Sequence, residues 1–185
     1  MKYNKLAFID LETTGLDPDR HEIIEIGVLI VKAVPVAGRG PNLEIIDQFE
    51  FKIKPEHIET AEPEALRVNS YNDADWLFAN DLKQILPIIA EKTKDCMMVG
   101  QNVSFDWGFL SHAFKQAGLK WPMHYHKIDL ITMAFMKNYH EVNRPLERYN
   151  LAALAEYYGI TNAKAHSALA DIQVTFEIYK KLLGL

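Results

Sequence analysis

The sequence predicts an α/β fold, a mixed β-sheet with helices packed on it, and three observations predict it. Ile23–Val31 is nearly continuous in Ile, Val and Leu, as a strand buried on both faces is. Two further strand-like runs, Lys5–Asp10 and Leu43–Ile53, lie close on either side. Beyond them, helical and strand-like patterns alternate, which builds a sheet flanked by helices.

Lys5–Asp10 is a short, mostly apolar run and reads as a central strand. Ala33–Asn42 holds two prolines and two glycines, a long turn between Ile23–Val31 and Leu43–Ile53. Their closeness in sequence makes the first three strands an antiparallel meander. Residues 55–75 are irregular apart from a helical turn at Pro63–Arg67. Trp76–Glu91 reads as a helix because Phe78, Leu82, Ile85, Leu86 and Ile89 fall on one helical face, with Pro87 expected to kink it or end it early. Cys96–Val99 reads as a strand leading to Gly100-Gln101-Asn102, and Ser104 as the cap of a helix reaching about Gly118. Lys127–Leu130 is a short strand, followed by a helix to about Asn138 and a polar loop over 140–149. Asn150 caps a helix that Gly159 stops. The last helix runs from about Ser167 to Leu183, with Leu169, Ile172, Phe176, Tyr179 and Leu183 as its buried stripe. No linker interrupts the chain, so residues 1–185 read as one domain.

Composition narrows the function classes. At 185 residues, 49% hydrophobic and 24% charged, the chain suits one well-packed domain and shows no sign of disorder or repeats. No apolar run nears the roughly 20 residues that span a bilayer, and the first residues lack a signal-peptide pattern, so the expected location is cytoplasmic, with no membrane partner. The single cysteine, Cys96, excludes an internal disulfide and a cysteine metal cluster; with Met97, Met98 and Val99 beside it, it reads as a buried structural thiol. The net charge of −5, from 20 basic and 25 acidic residues, argues against gripping long duplex nucleic acid. It leaves open an enzyme that takes one strand end into a metal-filled pocket, where cations supply the positive charge.

Three segments carry chemistry. In Phe8-Ile9-Asp10-Leu11-Glu12-Thr13-Thr14-Gly15, the two-residue period of a strand points Asp10 and Glu12 the same way, their roots roughly 7 Å apart. Two anions there repel unless neutralised, and a hard divalent cation neutralises them without protonation. Thr13-Thr14-Gly15 then turns the chain, with backbone N–H groups expected to be free for a ligand. In Asn102-Val103-Ser104-Phe105-Asp106, Asp106 falls in a first helical turn, where the dipole favours its ionised form. In His166-Ser167-Ala168-Leu169-Ala170-Asp171, a five-residue spacing turns two helical side chains about 140° apart. His166 is therefore placed on the loop before the helix and Asp171 within its first turns. A histidine beside a metal cluster is suited to deprotonate a water, its ordinary pKa being near neutral. Each segment alone also has an ordinary structural reading, as a strand end, a helix start or a solvated loop. His21, His57, His112, His124, His126 and His140 show no partner pattern, and His124-x-His126 lacks a further ligand nearby.

Together, Phe8–Gly15, Asn102–Asp106 and His166–Asp171 resemble the three exonuclease motifs of the DEDD superfamily in its histidine-containing (DEDDh) branch. That branch includes the proofreading epsilon subunit of bacterial DNA polymerase III, ribonuclease T and oligoribonuclease. The likeness extends over nearly the whole chain: Ile23-Ile24-Glu25-Ile26-Gly27 is similar to the family's second strand, and residues 63–69 to its loop segment. Ser167 stands where many members carry glycine, and the Ala33–Asn42 turn is longer than usual.

The resemblance implies a ribonuclease H-like fold with a five-stranded mixed sheet. It implies two divalent ions, Mg²⁺ or Mn²⁺, with Asp10, Glu12 and Asp171 on one, Asp10 bridging to the second, and Asp106 meeting that one directly or through water. It makes His166 the general base of a 3′→5′ exonuclease that releases nucleoside 5′-monophosphates from single-stranded or frayed 3′ ends of DNA or RNA. By the same likeness Thr13, Thr14 and Gly15 line the terminal nucleotide, Leu16 wedges against its base and Asn102 positions the strand or the Asp106 loop. Phe105 or Trp107 is a stacking candidate. An RNA-trimming or short-oligonucleotide enzyme is the nearest alternative. A catalytically silent binding module, which would be expected to have lost one of the five residues, comes after it. A protein partner or a homodimer is compatible with either.

Overall fold

The computed structural model describes residues 4–38, 40–139, 141, 145–161 and 167–185. Five strands form one sheet in the order β3-β2-β1-β4-β5: β1 (Lys5–Thr13), β2 (Ile23–Val34), β3 (Asn42–Lys52), β4 (Met97–Gly100) and β5 (Lys127–Asp129). The first three pair antiparallel, as the meander requires, while β4 and β5 join β1 in parallel. Six α-helices are found among the described residues: α1 (Pro63–Val68), α2 (Leu82–Lys92), α3 (Val103–Gln116), α4 (Leu130–Asn138), α5 (Leu151–Tyr158) and α6 (Ala168–Leu183).

Strand alternation divides the core. Ala7, Ile9 and Leu11 of β1 face one side with Ile26, Val28 and Ile30 of β2, and pack on Ile85, Ile89, Phe109 and Leu110 of α2 and α3. Leu6 and Phe8 face the other with Leu29 and Val31, and pack on Leu130, Leu154, Ile172, Phe176 and Tyr179 of α4, α5 and α6. Asp10 and Glu12 continue the Leu6–Phe8 row, so the acidic end of β1 emerges on the face that α6 covers.

Two expectations fail, each for a local reason, and the early end allowed for at Pro87 does not occur. The helix expected from Trp76 starts only at Leu82, where the Asp81 carboxylate accepts the Lys83 N–H at 2.7 Å. Phe78 lies in the preceding turn, 92% exposed. Trp76 is instead a buried anchor: its indole N–H donates to the Ile24 carbonyl at 2.9 Å and Lys52 sits 3.6 Å over its ring. Pro87 does not end α2, which runs on to Lys92; both Pro87 and Lys83 are exposed, so the carbonyl left without an N–H partner meets solvent. Ser104 does not cap α3. Asn102 holds the N-cap in the left-handed region (φ 58°), and the Asp129 carboxylate at the end of β5 accepts the Val103 N–H at 2.9 Å. The same carboxylate accepts the Ile131 N–H at 2.7 Å and caps α4. Other expectations hold. Asn150 caps α5, left-handed Gly159 ends it, and Cys96 is fully buried. Among the described residues, no helix is long and apolar enough to cross a membrane.

Phe8 is the pivot of the α6 face: fully buried, it meets Phe176 and Tyr179 edge-on, at 5.3 and 5.2 Å between ring centres. Phe8→Ala should cost about 3–5 kcal/mol in denaturant unfolding. A loss under about 1 kcal/mol would show that the packing readily collapses around the gap.

Candidate active site

β1 outruns its parallel partner. Its pairing with β4 covers Leu6, Ala7 and Phe8 and stops there, because β4 ends at Gly100 and the chain turns into α3. That leaves the Leu11 N–H on this edge free of the ladder, and it donates to Asp106 Oδ1 at 3.0 Å. Asp106, 2% exposed in the first turn of α3, is thereby fixed against the strand that carries Asp10 and Glu12. From the other face of the sheet comes Asp171, buried in the first turn of α6. One carboxylate oxygen from each of Asp10, Glu12 and Asp171 lies within 4.8 Å of the others. The four acidic residues singled out in the sequence are thus brought together, three as one cluster and Asp106 beside it. His166 lies outside the described residues.

The electrostatics of this arrangement are costly. Burial, then the negative charges of Asp106, Glu12, Asp171 and Glu25, hold the Asp10 carboxyl well above the usual carboxylate range. Burial and the charges of Asp171, Glu25 and Asp106 push Glu12 up to about 8. Burial raises Asp106 to about 8 against the pull of the Leu11 N–H, with Asp129 adding to the rise. Glu25, whose side chain faces the same way as that of Glu12, is raised to about 7 by burial, an effect partly offset by the Ala168 N–H. Every influence that sets Asp10 and Glu12 pushes upward. Such a site calls for a positive charge, and its donors, all carboxylate oxygens, suit a hard divalent cation of the Mg²⁺ or Mn²⁺ kind. Among the described residues, this is the sole cluster of three or more side chains that could hold a metal.

The turn after β1 is braced. Thr14 is fully buried; its N–H donates to the Glu22 carbonyl at 2.9 Å, its Oγ1 accepts the Glu22 N–H at 2.9 Å, and its carbonyl accepts the Glu62 N–H at 2.8 Å. The expectation of free N–H groups throughout the turn therefore fails at Thr14. Thr13 Oγ1 donates to the Gly15 carbonyl at 2.7 Å, and the buried Asn69 amide donates to the Thr13 carbonyl at 2.8 Å. Gly15 lies flat against the His21 ring, where a Cβ would stand 2.6 Å from three ring atoms. His21, without a partner pattern in the sequence, is a buried brace whose Nδ1 accepts the Asp17 N–H at 3.0 Å.

Beside the carboxylates opens a cleft of about 290 Å³. Glu12, Thr13, Gly15 and Leu16 line it from β1 and the turn, Phe105 from α3, and Glu62, Ala65, Val68 and Asn69 from around α1. Leu16 is 74% exposed at its edge. Phe105 is half-buried against Phe109, whereas Trp107 is exposed with Lys127 4.1 Å over its ring, so of the two flanking aromatics Phe105 is the one in the cleft. Asn102 is exposed at the start of α3. Sequence reasoning missed Glu25, Glu50, Asn69 and Asp129. A carboxylate in the otherwise apolar run Ile23–Val31 was the available signal for Glu25.

A family model described as Exonuclease (RNase_T) matches residues 7–179. The 3′-5′ exonuclease DinG of Staphylococcus aureus (strain USA300) is 32% identical over 184 residues; the match takes in 95% of this chain and 18% of DinG's length. Escherichia coli Exonuclease I in complex with a dT13 oligonucleotide superposes with a TM-score of 0.78 at 19% identity, over 97% of this chain and 41% of that one. The nuclease domain of 3′hExo, a DEDDh family member bound to rAMP, superposes with a TM-score of 0.75 at 21% identity, over 98% and 92%. These likenesses bear out the ribonuclease H-like fold and the resemblance drawn from the three motifs.

Glu12 and Asp106 ordinarily titrate near 4.5 and 3.8, and near 8 in the folded chain. Between those values the folded state holds more protons than the unfolded state. Stability from this source is therefore full at low pH and lost as pH rises through about 8. In EDTA the thermal midpoint should fall between about pH 6 and pH 9, and Asp10→Asn should raise it at the upper end. A midpoint that is flat or rises over that range in EDTA would contradict this picture.

Proposed function

The chain belongs to the exonuclease family, and on that footing we propose that it hydrolyses single-stranded nucleic acid from the 3′ end, releasing nucleoside 5′-monophosphates. The observation that carries the proposal is the convergence of Asp10, Glu12 and Asp171 within 4.8 Å, with Asp106 fixed beside them on Leu11. Asp10, Glu12 and Asp171 would hold one divalent cation, and Asp10 and Asp106 would hold a second. When bound, the cations offset the crowded carboxylate charge and stabilise the negative charge that develops on the phosphodiester.

The chain's own residues do the rest. His166, in its neutral form, accepts the proton of the attacking water. The cleft receives the terminal nucleoside: Phe105 and Leu16 offer apolar surface to the base, and Thr13 and Gly15 bring backbone close to the sugar. Thr14 contributes by fixing the shape of that turn through Glu22. Asn102, at the start of α3, holds the approach to Asp106.

Two facts support a single-stranded substrate. The chain carries a net charge of −5, ill-suited to tracking a long duplex. Exonuclease I, which shares its fold, was solved with dT13 and dA16 oligonucleotides. The rAMP in 3′hExo favours ribose as a second reading of the same site.

The test is a time course on matched 5′-labelled single-stranded DNA and RNA, with Mg²⁺, Mn²⁺ or EDTA. A metal-dependent ladder shortening from the 3′ end is expected, and its relative rates decide the sugar. No shortening of either strand would point to a silent binding module. Asp10→Ala and Asp171→Ala should each lose on the order of 10³-fold or more in rate, beyond the 10–100-fold typical of outer-shell partners. His166→Ala should lose about 10²–10⁴-fold, and the wild-type rate should fall as the pH drops and the imidazole gains its proton. An unchanged rate in His166→Ala would place the base elsewhere.

A further inference from the structure

Register brings a second acidic pair to the site. Asp10 stands opposite Gly27, and Gly27 opposite Glu50, in one row across β1, β2 and β3; Glu12 stands opposite Glu25 in the row beyond. Cross-strand partners share a face, so all five residues lie under α6. The start of α6 rests directly on Gly27: a Cβ there would stand 2.6 Å from the Ala168 carbonyl carbon and 2.8 Å from the Leu169 nitrogen. Glycine is required here by close approach, with no call on its freedom of φ.

On either side of that glycine the sheet grips the helix. Glu25 Oε1 accepts the Ala168 N–H at 2.8 Å, in a buried bond. Glu50 Oε1 accepts the Leu169 N–H at 2.9 Å and the Ser167 hydroxyl at 3.2 Å. Ser167 occupies the N-cap position, but its side chain caps no backbone N–H. The first N–H groups of α6 are therefore answered by two strand carboxylates rather than by the helix's own cap.

We propose that Glu25 and Glu50 are positioning residues that set where Asp171 stands against Asp10 and Glu12. The proposal rests on the reading of Asp171 as a metal ligand. Asp171 follows Ala168 by three residues within the same first turn, so the clamp on residues 168 and 169 fixes its height above the sheet. Without the clamp the helix start loosens and Asp171 leaves the 4.8 Å cluster. Glu25 and Glu50 hold the backbone at the start of α6 and act through the helix.

The test measures binding of Mn²⁺ alone, by the electron paramagnetic resonance of the free ion, together with kcat, KM and thermal midpoint. It compares the wild-type chain with Glu25→Ala, Glu25→Gln, Glu50→Ala and Asp171→Ala. Glu25→Ala should weaken Mn²⁺ binding at least about tenfold and lower kcat far more than it raises KM. Glu25→Gln, which keeps an acceptor oxygen for Ala168, should recover most of both. Glu50→Ala, at an exposed position, should remain folded and weaken binding in the same direction, by about two- to fivefold. If Glu25→Ala fails to fold, Glu50→Ala carries the test. Wild-type Mn²⁺ affinity and kcat in the folded variants, while Asp171→Ala is weakened, would overturn the clamp. Undiminished binding in Asp171→Ala would overturn the reading of the site beneath it.

Discussion

Like-charge crowding at the open end of β1 is the constraint around which this molecule is arranged. Asp10 and Glu12 sit where an apolar strand, still paired with β2, has run past its parallel partner β4, with Asp171 arriving over one face and Asp106 over the other. In a half-dry site such a group is unfavourable until a cation joins it. What keeps it in place is the surrounding structure, which holds each carboxylate by a different element. β4 stops at Gly100 and leaves an amide of β1 for Asp106. Gly27 lets α6 descend onto the sheet beside Asp10. Asp129 anchors the starts of both α3 and α4. The apolar core supplies the stability against which this local cost is set.

Local grammar made much of this legible in the sequence. Alternation in a strand was enough to point Asp10 and Glu12 the same way, and the Asn150 and Gly159 signals bounded α5. Asp171 falls in the first turn of α6, as the five-residue separation from His166 suggested. The failures share a cause as well. Phe78 matched a helical period but lies in a turn, because Asp81 offers a better N-cap and Trp76 is drawn into the sheet by the Ile24 carbonyl. Ser104 was a plausible cap until β5 supplied Asp129. Glu25, Glu50 and Asn69 act through partners 56 or more residues away, and Asp129, besides capping its own helix, holds Val103 26 residues away. Such partners follow from register and crossover, which a one-dimensional pattern does not encode.

The turn after β1 and the cleft beside it show how rigidity is delivered to the wall of a cleft. Thr14 spends its amide, hydroxyl and carbonyl on the protein itself, and Gly15 lies against a buried histidine. Thr13 and Leu16 are then left facing the cleft from a turn that has little freedom to move. Polar backbone, a half-buried ring and an exposed leucine suit a terminal nucleoside better than a run of phosphates. The low basic content of the chain agrees with that. The chain spans 18% of DinG's length.

On this reading the raised carboxylates at the end of β1 give up their protons when a divalent cation binds. The most direct test is to titrate Mn²⁺ into the metal-free protein near pH 7 and count the protons released, using calorimetry in buffers of different ionisation enthalpy. With Glu12 and Asp106 raised to about 8, cation binding must expel protons, and release should shrink as the pH is raised past 8. Tight Mn²⁺ binding with no proton release at pH 7, or no binding at all, would contradict the account.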